Sequence, residues 1–267
     1  MDLAICSLAS GSSGNCYLVR TPDTAVLVDA GISARQIKLR LEAMGLCLED
    51  ISAVLITHEH ADHVMALESL AKRTGAAVCM SRGTYGALDL PLDGERLMLF
   101  SAGDSFSVAG LEIRSFPLSH DAAEPVSYSF TAGGRKLVIV TDTGVVTDEI
   151  AAEAADADIL VLESNHDVNI LRVGRYPWFL KMRILGDRGH LSNDAAAQLL
   201  LRITQDEAPG TERERIILLA HLSQENNFPE MALATVTNEL SGRGYIAGKR
   251  LLIETLSRTE QSPLYWV

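Results

Sequence analysis

The sequence predicts a mixed α/β protein built from two sheets that helices cover. Short runs rich in Val, Ile and Leu alternate with helical patterns along all 267 residues of the chain. Over residues 97–144 the strands are joined by short glycine-containing turns, which is typical of antiparallel pairing. The other strands are separated by helices and are expected to pair in parallel. No low-complexity segment or linker divides the sequence, so we expect a single domain over residues 1–267.

Apolar runs predict the individual strands. They lie at 3–9, 16–20, 25–31, 53–57, 111–117, 126–132, 136–144, 158–164, 215–223 and 250–256. Helical periodicity predicts helices over 33–44, 63–74, 147–155, 192–204 and 229–241. Ser33, Thr147 and Pro229 stand at the starts of three of these helices. Those are positions where capping residues and first-turn prolines are favoured.

Composition limits the function classes. Hydrophobic residues make up 47% of the chain, enough for a sizeable core, and the formal net charge is −12. Such an acidic surface argues against nonspecific binding of polyanions over the whole molecule, although it allows a local basic groove. The N-terminal residues lack the basic start of a signal peptide, and no run reaches the roughly 20 apolar residues of a membrane span. We therefore expect a cytoplasmic protein with no membrane segment, and buried free thiols at Cys6, Cys16, Cys47 and Cys79.

The strongest chemical signal is the run Thr57-His58-Glu59-His60-Ala61-Asp62-His63, directly after a predicted strand. In an extended turn, alternate residues share one side, so His58, His60 and Asp62 are expected to converge. His63 begins the next helix and points elsewhere, as a ligand to a second ion would. Imidazole and carboxylate ligands suit zinc, with manganese or iron as alternatives. The competing interpretation, three surface histidines with no shared role, fits poorly with a cluster that follows a buried strand.

This HxHxDH run resembles the metal motif of the metallo-β-lactamase superfamily, and four later or earlier strand ends match its other motifs in order. The resemblance implies a four-layer αββα sandwich with two mixed sheets and a site for two divalent ions. It implies that Asp29 supports a ligand, that Asp62 also serves catalysis, and that the reaction is a hydrolysis. One ion would be held by His58, His60 and His120, the other by Asp62, His63 and His221, and Asp142 would bridge them.

Two further segments, Leu162-Glu163-Ser164-Asn165-His166 and Gly189-His190-Leu191-Ser192-Asn193, resemble motifs of the RNase Z-like and β-CASP nucleases. The resemblance implies that His190 stands near the leaving group and that Glu163 orients it. A phosphodiester needs such help because its leaving alkoxide must be protonated or stabilised. Without the resemblance, a cap at His190 and a surface acid at Glu163 would be the favoured interpretation. His166 would line the substrate groove or support the second metal.

A narrower resemblance, to the WalJ/YycJ family, extends from about residue 6 to residue 230. It rests on LASGSSGNCYLV, TDTG, ESNHD, GHLSN and AHLSQENNFPE. It implies an exonuclease that acts on DNA in preference to RNA. The sequence leaves an oligomer possible and its state undetermined. The segment SGSSGN is expected to form a tight turn, and the backbone near Ser12, Ser13 and Asn15 could hold a phosphate. The alternatives are a thioesterase or lactonase on the same fold, and a metal-binding scaffold protein with little turnover.

Residues 171–188 form a basic segment of five cations and one acid, with a charge of +4. Tyr176, Trp178 and Phe179 lie among the cations. Charges interleaved with aromatic rings are expected of a surface that contacts phosphates and stacks bases, and we assign Arg175 and Lys181 to substrate binding. The alternative is an amphipathic helix that buries its aromatic side and exposes its charges.

Overall fold

The computed structural model describes residues 2–88, 90, 92, 94–207, 213–248 and 250–267. The chain divides into two compact units. Unit 1 comprises Met1–Pro117, Ala122–Arg135 and Ser257–Val267, and unit 2 comprises Leu118–Asp121 and Lys136–Leu256. This division describes local packing, so the single domain over residues 1–267 stays a prediction.

Unit 1 contains one complete sheet and an antiparallel ribbon. Its strands are β1 (Ala4–Gly11), β2 (Gly14–Arg20), β3 (Ala25–Val28), β4 (Ile51–Leu55), β5 (Ala77–Ser81), β6 (Leu97–Phe100), β7 (Ser105–Val108), β8 (Leu111–Pro117) and β9 (Val126–Ala132), together with the C-terminal strand Tyr265–Trp266. The C-terminal strand pairs antiparallel with β1, β1 to β3 are antiparallel, and β3 to β6 are parallel. The ribbon consists of β7, β8 and β9.

The sequence prediction for the stretch 97–144 was wrong in one respect. Residues 97–100 were expected in the antiparallel meander, but β6 pairs in parallel with β5. Strand β5 itself was not predicted, and it gives the apolar run of β6 a buried parallel neighbour. Short apolar runs carry no signal for the direction of their partner, which explains the error.

The helices of unit 1 are α1 (Ala34–Ala43), α2 (Ala61–Val64), α3 (Leu67–Arg73) and α4 (Arg82–Ala87). A single helix over 63–74 was expected, but it is divided at Met65 and Ala66. The reason lies in the backbone, because the Ala66 N–H donates to the Ala30 carbonyl at 2.8 Å and the Ala30 N–H donates to the His63 carbonyl at 2.7 Å. These bonds to the end of β3 hold α2 and the histidine run directly against that strand end.

Unit 2 is a parallel sheet with helices. It contains β10 (Arg135–Val140), α5 (Asp148–Ala155), β11 (Ile159–Glu163), α6 (Val168–Val173), α7 (Trp178–Leu185), α8 (Asn193–Thr204), β12 (Arg215–Ala220), α9 (Pro229–Gly242) and β13 (Leu251–Thr255); the C-terminal strand of unit 1 is β14. Strands β10 to β13 pair in parallel in that order. The carboxyl ends of parallel strands meet at one edge of a sheet, so residues that follow β10, β11 and β12 lie close together. Across the described residues, the strands of the molecule form two mixed sheets of seven strands each.

The cores of both units are apolar. Tyr17, Leu18 and Leu27 are fully buried in unit 1. Val161 and Leu218 are fully buried in unit 2. Cys6, Cys16 and Cys79 are buried free thiols as expected, whereas Cys47 is exposed. Among the described residues, no helix combines the length and the apolar character that crossing a membrane requires.

Candidate metal and catalytic site

Three candidate site residues have a left-handed backbone. Asp29, Asp142 and His221 have φ values of 62°, 60° and 55°. Asp29 directly follows β3, His221 directly follows β12, and Asp142 lies two residues beyond β10. L-residues with a β-carbon adopt this conformation rarely, although Asp and His do so more often than most, and it concentrates at functional sites. Each side chain is thereby turned across the carboxyl edge of its sheet.

In unit 1 the Asp29 carboxylate is the centre of a buried hydrogen-bond network. It accepts from the Thr57 N–H at 2.9 Å, from the Thr57 hydroxyl at 3.0 Å and from His63 Nδ1 at 2.8 Å. His58 Nδ1 donates to the Thr57 hydroxyl oxygen at 3.0 Å. Burial raises the pKa of Asp29, while the His63 ring opposes that rise. Because Nδ1 of both histidines is held, their Nε2 atoms are left to act as ligands.

The other two polar residues of the histidine run lie beside these rings. His60 Nδ1 is 3.1 Å from His58 Nε2, with the two ring planes inclined at 79°. Asp62 Oδ2 is 3.6 Å from His63 Nε2. His58 therefore lies beside both His60 and His63, with ring centroids 4.5 and 4.0 Å from its own, and Asp62 lies beside His63. The division of these residues between two ions stays a prediction. Nitrogen pairs and a nitrogen–oxygen pair at these separations suit divalent cations of the zinc type.

The SGSSGN segment forms the expected tight turn. Gly11 of β1 pairs with Gly14 of β2, and the two intervening residues, Ser12 and Ser13, are exposed. Asn15 is 1% exposed, and its side chain accepts from the Gly11 N–H at 2.9 Å. Its Nδ2 also lies 3.1 Å from His63 Nε2. Asn15 thus connects the turn to the histidine cluster, which leaves Ser12 and Ser13 as the exposed part of the segment.

Replacing Gly31 with alanine is expected to damage this cluster. A β-carbon at residue 31 would lie 1.6 Å from the Asp62 carbonyl oxygen, so the Asp62 backbone must move. We expect a loss of about 3 kcal/mol in the free energy of unfolding and a fall in bound metal. Urea denaturation and elemental analysis measure the two effects. Gly75→Ala is the matched control, because a β-carbon there meets nothing within 4 Å. Equal stability of the two variants would contradict the packing argument.

In unit 2 the buried carboxylate of Glu163 binds two histidines at once. Its Oε1 accepts from His190 Nδ1 and from His221 Nδ1, both at 2.8 Å. Its Oε2 accepts from the backbone N–H of Thr143 at 3.0 Å and of Leu191 at 3.1 Å. Burial alone would raise the pKa of Glu163, but the two histidines lower it below its usual value. Glu163 is therefore a carboxylate whose four hydrogen bonds fix both rings.

Asp142 and His120 complete the polar cluster of unit 2. Asp142 Oδ1 is 3.4 Å from His221 Nδ1 and 3.7 Å from His190 Nδ1. His120 is 2% exposed and its Nδ1 donates to the Gly189 carbonyl at 3.1 Å. Burial lowers the pKa of His120, with the Asp142 carboxylate opposing, so its ring is neutral at pH 7. A neutral imidazole is the form that binds a metal ion.

The donor set fits divalent metal ions. Five histidines have Nδ1 held by an oxygen of the protein within their own unit, so Nε2 is the ring atom that can face a metal ion or a substrate. They are His58, His63, His120, His190 and His221. Within unit 2, Asp142, Glu163, His190 and His221 each offer an atom within 4.8 Å of the others. Metal-binding histidines generally donate their other ring N–H to a carboxylate or a carbonyl, which fixes the orientation of the ring.

Glu163→Gln is expected to destabilise unit 2 because no orientation of the amide satisfies all four donors. With the amide oxygen toward the histidines, its NH₂ faces two backbone N–H groups; with the reverse orientation, it faces His190 and His221. We expect a loss of about 2–4 kcal/mol in the free energy of unfolding and a lower metal content. Calorimetry beside the exposed variant Glu112→Gln provides the measurement. A Glu163→Gln protein as stable as Glu112→Gln would mean that this network does not stabilise the site.

A buried amide network explains part of the ESN, LSN and ENN sequences. The side chains of Asn193 and Asn227 pair at 2.8 and 3.1 Å, and the Ser164 hydroxyl donates to Asn193 Oδ1 at 2.7 Å. The Asn165 side chain donates to the His221 carbonyl at 2.9 Å. The Asn165 bond thus connects this network to the backbone of His221, which has the left-handed conformation described above. Buried polar networks of this kind specify one arrangement when every member is satisfied.

The basic segment 171–188 lies in α6, α7 and their flanking turns. Trp178 and Phe179 are 72% and 73% exposed, whereas Lys181 is 9% exposed. The alternative of a helix that buries its aromatic side is therefore wrong. Lys181 Nζ donates to the carbonyls of Arg172 and Gly174, each at 2.7 Å, which closes the turn between the helices. Arg175 is exposed.

Two other cations of this segment support the loop that carries His120. Arg183 Nε donates to Asp121 Oδ2 at 2.6 Å, and Arg188 Nε donates to the His120 carbonyl at 3.0 Å. Sequence reasoning had counted both only as part of the net charge. Contacts between residues more than 60 positions apart leave no periodic signal in the sequence, so neither role could be predicted.

His166 follows β11 and is buried. It is 1% exposed, and its backbone forms a bridge with Ser192. Burial lowers the pKa of His166 to about 4, so its ring is neutral at pH 7. Its Nδ1 is buried and has no hydrogen-bond partner among the described residues. The single proton of the neutral ring therefore belongs on Nε2, because a buried N–H without an acceptor is costly.

Comparison with known proteins places the chain in a family. The family described as "Beta-lactamase superfamily domain" matches residues 24–211. The chain is 40% identical over 254 residues to Exodeoxyribonuclease YycJ of Bacillus anthracis, which covers 93% of each chain. It is 37% identical over 262 residues to Exodeoxyribonuclease WalJ of Streptococcus pneumoniae serotype 2, covering 96% of this chain and 95% of the relative.

A solved structure confirms the expected sandwich fold. The metallo-β-lactamase fold protein YhfI of Bacillus subtilis superimposes with a TM-score of 0.65 at 14% identity, over 98% of this chain and 99% of that one. At this identity the likeness concerns the fold, which is the α/β sandwich of two mixed sheets and helices. The chain belongs to the β-lactamase superfamily and, within it, to the family of the YycJ and WalJ proteins.

Proposed function

We propose that this protein is a metal-dependent exonuclease that removes nucleotides from DNA. The observation that carries the proposal is the Glu163 carboxylate, which holds His190 and His221 by their Nδ1 atoms. One acid thereby presents two Nε2 atoms, of which we assign one to a metal ion and one to the leaving group. The names of the YycJ and WalJ relatives support exonuclease action on DNA.

We assign two divalent ions to the site, zinc in the first instance and manganese or iron otherwise. Membership of the superfamily supports this assignment. The first ion is assigned to His58, His60 and His120, the second to Asp62, His63 and His221, and Asp142 to both. Such ions supply the acidity that a hydrolytic water needs near neutral pH and positive charge for the phosphate oxygens.

The chain's own groups position and protonate the substrate in this proposal. His190 Nε2 donates a proton to the departing alkoxide oxygen, while its Nδ1 stays bound to Glu163. His190 is suited to this exchange because its side chain is 21% exposed, whereas that of His221 is 2% exposed. The Glu163 carboxylate stabilises the cationic ring of His190 before donation, and donation leaves a neutral ring whose remaining proton is on Nδ1. Asp62 orients the attacking water, and Asp29 fixes the His63 ring through Nδ1.

Substrate contacts are assigned to two places. In unit 1, the exposed Ser12 and Ser13 of the β1–β2 turn offer hydroxyl and backbone N–H groups to a phosphate, with Asn15 supporting the turn. In unit 2, Arg175 is exposed on the turn between α6 and α7. Lys181 contributes positive charge from its buried position beside that turn. Neither assignment requires contact with a base edge, so we expect little sequence preference.

A panel of substrates tests the proposal. Protein reconstituted with zinc or manganese is incubated with end-labelled single- and double-stranded DNA and RNA, and in parallel with a thioester and a lactone. We expect metal-dependent release of mononucleotides from DNA and slower action on RNA. Asp142→Ala is the matched negative control. Fast hydrolysis of the thioester or lactone with intact DNA would support the small-molecule hydrolase instead and overturn the proposal.

A further inference from the structure

Unit 2 contains a cavity of about 760 Å³ beside His190, and several residues that line it, among them His166, Arg172 and Trp178, have no role in the proposed function. One wall is formed by α6 and α7, with Arg172, Trp178 and Lys181. His166, His190 and Ser192 also line the cavity. The volume lies within the range of about 300–1,000 Å³ that small-ligand pockets occupy. His190 therefore borders both the candidate metal ligands and this cavity.

The charge of the cavity is the reverse of that of the chain. Arg172 and Lys181 line it, and none of its described lining residues is Asp or Glu, although the chain has a net charge of −12. Lys181 Nζ uses two of its three protons on backbone carbonyls. Arg172 forms no ion pair with any residue that the structure describes. A concave site with cations and no carboxylate attracts an anion.

The cavity also has an aromatic platform. Trp178 lines it, yet 72% of this residue is exposed. Base-on-aromatic stacking contributes about 1–3 kcal/mol per base and tolerates any base, because every base has a π-face. The His166 ring and the Ser192 hydroxyl add hydrogen-bonding groups to the lining of the same cavity. An aromatic face, two cations and polar groups around one cavity match the three parts of a nucleotide.

We propose that this cavity binds one deoxynucleotide of the substrate, the one on the leaving-group side of the scissile phosphate. Its base stacks on Trp178, and its outer phosphate lies at Arg172 and Lys181. This inference rests on the proposed function, since His190 is taken to face the leaving oxygen. It adds a reason for exonuclease action, because the cavity holds a single terminal nucleotide next to the bond that is broken.

Fluorescence of Trp178 tests the cavity without any cleavage. The chain has two tryptophans, so Trp266→Phe leaves Trp178 as the sole reporter. The metal-loaded Trp266→Phe protein is titrated with 5′-dAMP, 3′-dAMP, deoxyadenosine and inorganic phosphate. We expect saturable quenching by one or both monophosphates, with deoxyadenosine roughly tenfold weaker and phosphate alone without quenching. No saturable change with either monophosphate, or equal quenching by deoxyadenosine, would overturn the inference.

Paired variants separate the cavity from its surroundings. Arg172→Ala in the Trp266→Phe background should raise the Kd for dAMP about tenfold, whereas Arg73→Ala, which removes one charge from α3, should not. Trp178→Ala should raise the KM for a DNA oligonucleotide at least fivefold, whereas Phe179→Ala should leave KM within about twofold. Phe179 is the matched neighbour, since it is 73% exposed but does not line the cavity. Equal effects within either pair would contradict the assignment.

The outcomes also separate this inference from the proposed function. DNA cleavage with normal KM in Trp178→Ala, together with no quenching by nucleotides, would remove the cavity site and leave the exonuclease. Quenching by dAMP without DNA cleavage by the metal-loaded protein would remove the exonuclease and leave a nucleotide site. Stability of each variant is checked by thermal unfolding, and Arg172→Lys serves if Arg172→Ala does not fold.

Discussion

Replacing Asp142 with alanine is expected to lower the metal content of the protein and to abolish DNA cleavage, by at least about 100-fold. Asp142 is the carboxylate assigned to both ions, and its Oδ1 lies 3.4 Å from His221 Nδ1. Without this carboxylate, the site loses a negative charge that offsets the positive charge of the metal ions. Elemental analysis of the purified variant and cleavage of end-labelled DNA measure the two effects.

The conformation of Asp142 calls for a second variant. Its φ of 60° means that alanine adds backbone strain to the loss of the carboxylate. Asn tolerates this conformation, so Asp142→Asn removes the charge while keeping the backbone geometry. We expect both variants to lose metal, and the exposed control Asp194→Ala to keep it. A normal metal content in Asp142→Asn would show that Asp142 is not a shared ligand.

Replacing His190 with alanine is expected to leave both metal ions in place and to reduce kcat on DNA by about 10²–10⁴-fold. The reason is the alkoxide leaving group of a phosphodiester, which departs poorly without a proton. A p-nitrophenyl phosphodiester has a stable leaving anion, so His190→Ala should lose far less activity on that substrate. Parallel measurement of kcat on both substrates, with metal analysis, distinguishes these effects.

Chemical rescue sharpens the test of His190. Added imidazole should restore part of the DNA cleavage in His190→Ala, because the vacated space lies beside the cavity. It should restore nothing in Asp142→Ala. If His190→Ala loses equal activity on DNA and on the p-nitrophenyl substrate, or loses metal, His190 holds an ion or stabilises the fold and is not the acid.

The histidine run was predictable because its signal is local. Alternation after an apolar strand sufficed to place His58 beside His60, and family motifs supplied the later strand ends. The expectation that His63 points away from them was wrong, because its ring centroid lies 4.0 Å from that of His58. The left-handed backbone at Asp29, Asp142 and His221 was not predicted, although Asp and His at strand ends are residues that adopt it. Local pattern therefore located the site residues without their conformation.

Contacts across long sequence separations were beyond prediction from one chain. Glu163 was assigned to His190 alone, whereas the structure shows it bound to His221 as well, 58 residues away. Lys181 was assigned to a substrate-binding surface, but its Nζ donates hydrogen bonds to the carbonyls of Arg172 and Gly174 at the end of α6. Helices α6 and α7 were missed because they are short and are interrupted at Gly174 and Pro177. The cavity depends on these same helices, so it too had no sequence signal.

Linear and covalently closed circular single-stranded DNA of identical sequence provide the most direct test of an end-dependent nuclease. The metal-loaded protein is incubated with each substrate, and released mononucleotides are quantified by chromatography. We predict that the linear strand is degraded to mononucleotides, that the circle stays intact, and that a chelator stops the reaction. Cleavage of the circle at a similar rate, or no metal-dependent release from the linear strand, would contradict the account.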